Sequence, residues 1–138
     1  MTMHIQDLKV GDHLPERRHT PTNVTLFMYN AAVWNAHRIH YDETYTTQVE
    51  RHPGIVIDGP LQGDWLAQVV TNWLGDDGKL LRFNYSNRKA THLGETLISG
   101  GRVAAVDLEN KVVTLELFVC NAGGEVTSPG GATVQLSS

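Results

Sequence analysis

The chain has 138 residues, with 11 Lys and Arg against 15 Asp and Glu, a formal charge of −4 with His neutral. This length suits one domain with enough buried surface to need no disulfide or metal staple, and 41% apolar with 19% charged residues excludes a disordered chain. The mild acidity argues against a general nucleic-acid binder, no apolar run approaches the ~20 residues that span a bilayer, and the single cysteine, Cys120, cannot form an internal disulfide.

The first residues, Met1 to Asp7, have neither a basic nor an apolar signal region, so no secretory leader is expected and the lone thiol points to the cytoplasm. Lys9-Val10-Gly11-Asp12 predicts a turn into an extended piece, His13 to His19. Thr22 or Asn23 has the chemistry to cap a helix over Val24 to Trp34, with Leu26, Phe27, Ala31 and Val33 on its buried face. Asn35 to Asp42 is neither periodic nor glycine-rich, and Asp42 suits the cap of a short helical turn through Gln48. Pro53-Gly54 breaks the chain ahead of the apolar Ile55-Val56-Ile57. Asp58-Gly59-Pro60 then opens the strongest helix, in which Leu61, Trp65, Leu66, Val69, Val70, Trp73 and Leu74 fall at helical spacing before the stop at Gly75. Asp58 is expected to be its N-cap.

Beyond Gly78 the period changes to two. Leu81, Phe83 and Tyr85 alternate with polar partners, Leu97 to Val106 reads as a strand with a bulge at Gly100-Gly101, and Val113, Leu115, Leu117 and Val119 share one face of the next. Asn121 to Gly124 predicts a hairpin turn into Val126 to Leu136, with Pro129-Gly130-Gly131 as an irregularity or edge feature. The result is α+β, with four consecutive antiparallel strands as a meander in one domain, 1–138. A long helix apolar around much of its girth needs burial on most sides, which a curved antiparallel sheet wrapped around it provides.

Two stretches carry the chemistry. At Asp58-Gly59-Pro60, unpaired N–H groups and the helix dipole favour negative charge, and Gly59 lets a substrate carbonyl come close to the backbone. The same tripeptide also serves simply to start a helix. The second stretch is His37, His40 and Asp42. His40 is the preferred general base, because imidazole exchanges a proton near neutral pH. The alternatives are a structural histidine, or a metal set of all three residues, whose spacing matches no closed zinc motif.

Asn35-Ala36-His37-Arg38-Ile39-His40-Tyr41-Asp42, followed by Pro53-Gly54-Ile55-Val56-Ile57-Asp58-Gly59-Pro60-Leu61-Gln62, resembles the MaoC-like enoyl-thioester hydratases and dehydratases. In form it is most similar to the branch of mesaconyl-CoA hydratase and the 3-hydroxyacyl-thioester dehydratases. The resemblance implies a hot-dog fold, a long central helix held in a curved antiparallel sheet. It makes His40 the histidine that handles the proton and Gly59 the glycine whose N–H polarises the thioester carbonyl. The usual carboxylate five residues before the histidine is here Asn35, the usual asparagine after it is His37, and the usual histidine before the glycine is Asp58. An amide can orient water but cannot take its proton.

The expected function is therefore reversible hydration of a trans-2-enoyl thioester to a 3-hydroxyacyl thioester. His40, Asn35 and Gly59 are the expected catalytic residues, and Arg38, Asp58 and His37 the expected substrate contacts. His40 works as base with Asn35 orienting the water; substitution by His37 or Asp58 is the alternative. No metal or other cofactor is expected, since CoA or phosphopantetheine enters with the substrate. The resemblance also implies a homodimer or a heterodimer with a related hot-dog subunit. Two other readings stay open: a non-catalytic acyl-thioester-binding partner subunit, and a hot-dog thioesterase using Asp64. Neither a membrane nor a nucleic-acid role is expected.

Overall fold

The computed structural model describes residues 2–138. After a 3-10 turn at Ile5–Asp7, β1 spans His13–His19 and α1 spans Asn23–Ala32. A second 3-10 turn, Arg38–His40, leads into α2, Glu43–Gln48, and then α3, Gly59–Leu74. Strands β2, Gly78–Tyr85, β3, Leu97–Asp107, β4, Val112–Cys120, and β5, Val126–Leu136, complete the chain. Among the described residues, no helix is long and apolar enough to cross a membrane.

Local chemistry explains the boundaries. The Thr22 hydroxyl accepts from the Thr25 N–H in a reciprocal capping box that starts α1, and the Asp42 carboxylate accepts from the Tyr45 N–H to start α2. Helix α3 stops at Gly75, whose φ of 54° is a left-handed conformation that favours glycine.

The five strands form one antiparallel sheet in the order β1-β3-β4-β5-β2. Strands β3, β4 and β5 are a meander, but β2 pairs with β5 at the far edge rather than with β3. This corrects the expected run of four consecutive strands. Residues 86–96 carry the chain back, and within them the Thr91 carbonyl accepts from the Ile57 N–H at 2.8 Å while the Leu93 N–H donates to the Ile55 carbonyl at 3.0 Å. That pairing diverts the chain from a hairpin.

Two glycine pairs also differ from expectation. Gly100 and Gly101 lie in regular pairing with Phe118 and Leu117; the register of β3 on β4 shifts instead between Val103 and Ala105. A Cβ at Gly101 would lie 2.8 Å from Leu117 Cδ2 and 2.9 Å from the Glu116 carbonyl, so close packing explains that glycine. Pro129-Gly130-Gly131 sits inside the sheet, where β5 runs between β4 and β2.

Helix α3 contacts all five strands. Its buried stripe of Trp65, Leu66, Val69, Val70 and Leu74 meets Val113, Leu115, Leu117 and Val119 of β4, with Ala132, Val134 and Leu136 of β5. Leu66, fully buried, approaches the backbone of β5 over Gly130, where a Cβ would lie 3.1 Å from Leu66 Cδ1. Leu66→Ala is expected to destabilise the fold by about 2–5 kcal/mol, read as a lower urea midpoint with the slope unchanged.

Candidate active site

The site forms where the start of α3 passes beneath α1 and the Arg38–His40 turn. His40 is 8% exposed. Its Nδ1 lies 2.8 Å from the Val56 carbonyl, and a carbonyl only accepts, so Nδ1 carries the proton and donates it. Nε2 is left facing Asp58 Oδ2 at 3.5 Å.

Asp58 does not cap α3 with its side chain. It turns inward instead, fully buried, and Oδ1 accepts from Asn30 Nδ2 at 3.0 Å. Asn30 Nδ2 also donates to the Leu26 carbonyl at 2.7 Å, which fixes the orientation of this amide. Asp58 Oδ2 and Asn30 Oδ1 are buried without a hydrogen-bond partner among the described residues. Burial pushes the Asp58 carboxyl above the usual carboxylate range, against the opposing pull of the Asn30 hydrogen bond and the His40 charge. The expectation of Asp58 as a side-chain cap is thus corrected, and the carboxyl presents no surface. The residue before Gly59 faces the His40 imidazole.

Gly59 opens α3, and its N–H is a first-turn donor with no helical acceptor. A Cβ there would collide with the Asn87 side chain, 2.7 Å from its Cγ. The glycine leaves the space that the Asn87 amide occupies. The Ser128 hydroxyl lies 2.9 Å from Asn87 Oδ1 and 3.1 Å from Gln62 Oε1, and Gln62 Nε2 donates to Thr91 Oγ1 at 3.1 Å. Gln62, Thr91 and Ser128 are all buried.

The other expected residues lie around this centre. Asn35 Oδ1 accepts from the His37 N–H at 3.0 Å, and its side chain helps wall a cavity of about 380 Å³ with Phe27, Asn30, Ala31, Trp34 and Tyr41. His40 and Gly59 do not line this cavity; Asn30 connects it to Asp58. Phe27, expected in packing, is 66% exposed. His37 Nδ1 accepts from the Ile39 N–H at 3.4 Å, and its ring centroid is 5.8 Å from that of His40. Arg38 is occupied by Asp42, at 2.8 Å, and stacks over the Tyr45 ring. Asp42, tied to Arg38 and the Tyr45 N–H, is not turned toward a shared ligand position with His37 and His40. Among the described residues no three His, Cys, Asp or Glu side chains are placed to hold one metal ion. Asp64 is exposed and acts on Tyr29, whose hydroxyl is pushed up to about 12 by burial first and by Asp64 next.

A family model described as hydroxyacyl-thioester dehydratase type 2 matches residues 6–93, more than half of the chain. The chain belongs to that family. Over 42 residues it is 48% identical to the mitochondrial hydroxyacyl-thioester dehydratase type 2 of Schizosaccharomyces pombe, a match covering 30% of this chain and 14% of that protein. Over 45 residues it is 47% identical to a mesaconyl-C(4)-CoA hydratase of Chloroflexus aurantiacus, covering 33% of this chain and 16% of that one. These curated relatives are thus matched over only a small part of their length.

Among solved structures, an (R)-hydratase from A. caviae superposes with a TM-score of 0.85 at 18% identity, covering 95% of this chain and 98% of that one. A chain of the ChsH1-ChsH2 complex from Mycobacterium tuberculosis gives a TM-score of 0.81 at 16% identity, covering 93% and 98%. At such identities the likeness shows the fold, and that fold is the hot-dog arrangement the resemblance implies.

Two residues of the site escaped the sequence reading. Asn30 stands one turn after Leu26 on the buried side of α1, and a polar residue on an apolar stripe was the available signal. Asn87 lies in a polar run after β2 and carried none. A carboxyl with its folded-state pKa raised binds its proton more tightly folded than unfolded, so the stability it contributes is full below the unfolded pKa and is lost as pH rises through the folded pKa. The isosteric Asp58→Asn is therefore expected to be more stable than the parent above that range and no more stable in acid. Urea unfolding from acid to neutral pH measures this.

Proposed function

We propose that the chain catalyses reversible hydration of a trans-2-enoyl thioester, carried on CoA or an acyl carrier protein, to a 3-hydroxyacyl thioester. The observation that carries this reading is the meeting of His40 with the residue preceding the α3 glycine, at 3.5 Å. Because Asp58 immediately precedes Gly59, this contact supports a reading in which the imidazole and the first-turn N–H groups of α3 serve one site.

In this reading water adds at C3 with His40 as base, while Asn35 orients the water through its amide. Charge developing on the thioester oxygen is held by the Gly59 N–H and the start of α3. The acyl tail occupies the cavity walled by Phe27, Ala31, Trp34 and Tyr41, whose lining is mostly apolar. Every step is a proton transfer or an addition, so the chemistry calls for no redox group. His37 and Arg38 border the turn that carries His40 and are the proposed contacts for the polar part of the substrate.

The sheet edges support pairing with a second hot-dog unit. Strand β1 has Pro15, Glu16, Arg17 and Arg18 along an exposed edge, which discourages strand addition. Strand β2, the opposite edge, exposes Leu80 and Leu81 at a register shift and leaves one side of its backbone unpaired. The partner is a second copy of the chain or a related subunit, and one solved neighbour is itself part of a two-component complex. The absence of a carboxylate at Asn35 favours a second reading, in which this chain binds the acyl thioester beside a partner that holds the complete pair.

Hydration of crotonyl-CoA and longer enoyl-CoA thioesters, followed by loss of enoyl absorbance, tests the proposal. His40→Ala is expected to lower kcat/KM by about 10²–10⁴-fold with the fold intact. Undiminished turnover in that variant would overturn the role of His40. Turnover that appears only on adding a related subunit would favour the second reading. Sedimentation of the purified chain is expected to give a dimer at micromolar concentration, and a strict monomer there counts against self-pairing through β2.

A further inference from the structure

We propose that Asp58 supplies the proton-holding group that Asn35 lacks, so that His40 Nε2 and Asp58 Oδ2 carry one proton between them. The use of that proton in hydration rests on the function proposed above; the sharing itself rests on geometry.

The hydrogen-bond inventory around the pair leaves few options. His40 Nδ1 donates to the Val56 carbonyl, so a neutral ring presents a lone pair at Nε2. Asp58 Oδ1 is taken by the Asn30 amide, whose other hydrogen goes to the Leu26 carbonyl. Asp58 Oδ2 has no donor of its own among the described residues and faces Nε2 at 3.5 Å. A neutral imidazole against a carboxylate would set two acceptors face to face in a buried site. One proton between them removes that repulsion, as imidazolium with carboxylate or as imidazole with carboxylic acid, and a direct hydrogen bond follows once the 3.5 Å separation shortens.

Among the described residues, the surroundings offer no other ionic partner for Asp58. From α1, Tyr29 keeps its proton to about 12. From α3, Asp64 acts on Tyr29, and from β2, Tyr85 does so more weakly. From the turn, His37 lies one ring away from His40, and Arg38 is bound to Asp42. The position of Asp58 also matters electrostatically. It immediately precedes Gly59, so a bare carboxylate there would oppose negative charge forming at the Gly59 N–H. A carboxyl that shares a proton opposes it less.

The step balances. The water oxygen bonds to C3 as the C2–C3 π bond breaks, and its electron pair passes through the thioester enolate to C2. The pair delivers its proton to C2 and receives the proton lost by the water, so it begins and ends with one. His40 keeps a small exposure and Asp58 has none, so Asp58 acts through the imidazole and is a positioning residue.

Two measurements on the folded chain test this. The first follows the Asp58 carboxyl carbon by NMR against pH, in the parent and in His40→Gln, with His40→Ala as the substitute should the glutamine variant not fold. Proton sharing predicts a two-step titration in the parent and a midpoint higher by about one unit or more once the imidazole is gone. An unchanged midpoint overturns the pair, whatever the substrate proves to be. The second compares Asp58→Asn with the parent in enoyl-thioester hydration. The amide keeps the acceptor for Asn30 but cannot exchange a proton. We expect kcat to fall by about 10²-fold with KM little changed and one limb of the pH profile lost. Parent-like kcat with the parent pH profile overturns the catalytic use of Asp58. If the parent hydrates no enoyl thioester, the functional reading fails and the NMR titration still decides the pair.

Discussion

Helix α3 lies close against the sheet, and glycines stand at two of their points of contact. On the helix, Gly63 lies under the Tyr85 ring; on the sheet, Gly130 lies under Leu66. Removing side chains from both surfaces lets the helix settle low enough to touch every strand. The apolar stripe of α3 then closes over the inward faces of β4 and β5, and burial of that surface is the main favourable term in folding. The same seating fixes where α3 begins, and Asp58 and Gly59 are carried under α1 and beside Asn87 as a result.

That beginning is where the molecule departs from the economy of its core. Three polar side chains, Asn30, His40 and Asp58, are buried together, and two of their oxygens have no hydrogen-bond donor among the described residues. Groups of this kind destabilise a fold unless their protons are arranged to suit them. A helix needing only to start would use the Asp58 carboxylate on its own N–H groups. The capping groups in α1 and α2 do so, and the α3 terminus departs from them by turning its carboxyl to buried neighbours.

Much of the fold was legible because periodicity reports burial. The alternation of Val113, Leu115, Leu117 and Val119 gave the inward face of β4, and the spacing from Leu61 to Leu74 gave α3 almost to its ends. Strand order was not legible. Alternation fixes which face a strand buries and says nothing of which strand lies beside it, so the transfer of β2 to the far edge depended on backbone pairing between Thr91 and Ile57. In the site, His40 and Gly59 stood out by residue type and motif. Asn87 did not, because its importance comes from touching a glycine distant in sequence. Asp58 was visible, but local pattern assigned it to the cap; only the three-dimensional approach of Asn30 and His40 turned it inward.

The two margins of the sheet are not alike. Both have a break in register and exposed charge, but one has proline along it and the other exposes Leu80 and Leu81 between Lys79 and Arg82. A body with one adhesive margin and one guarded margin can join a like body by matching adhesive sides, and the union then has guarded margins only. Such an assembly has no growing end. It stays finite as concentration rises, so a strand-edged protein can be abundant without forming fibres.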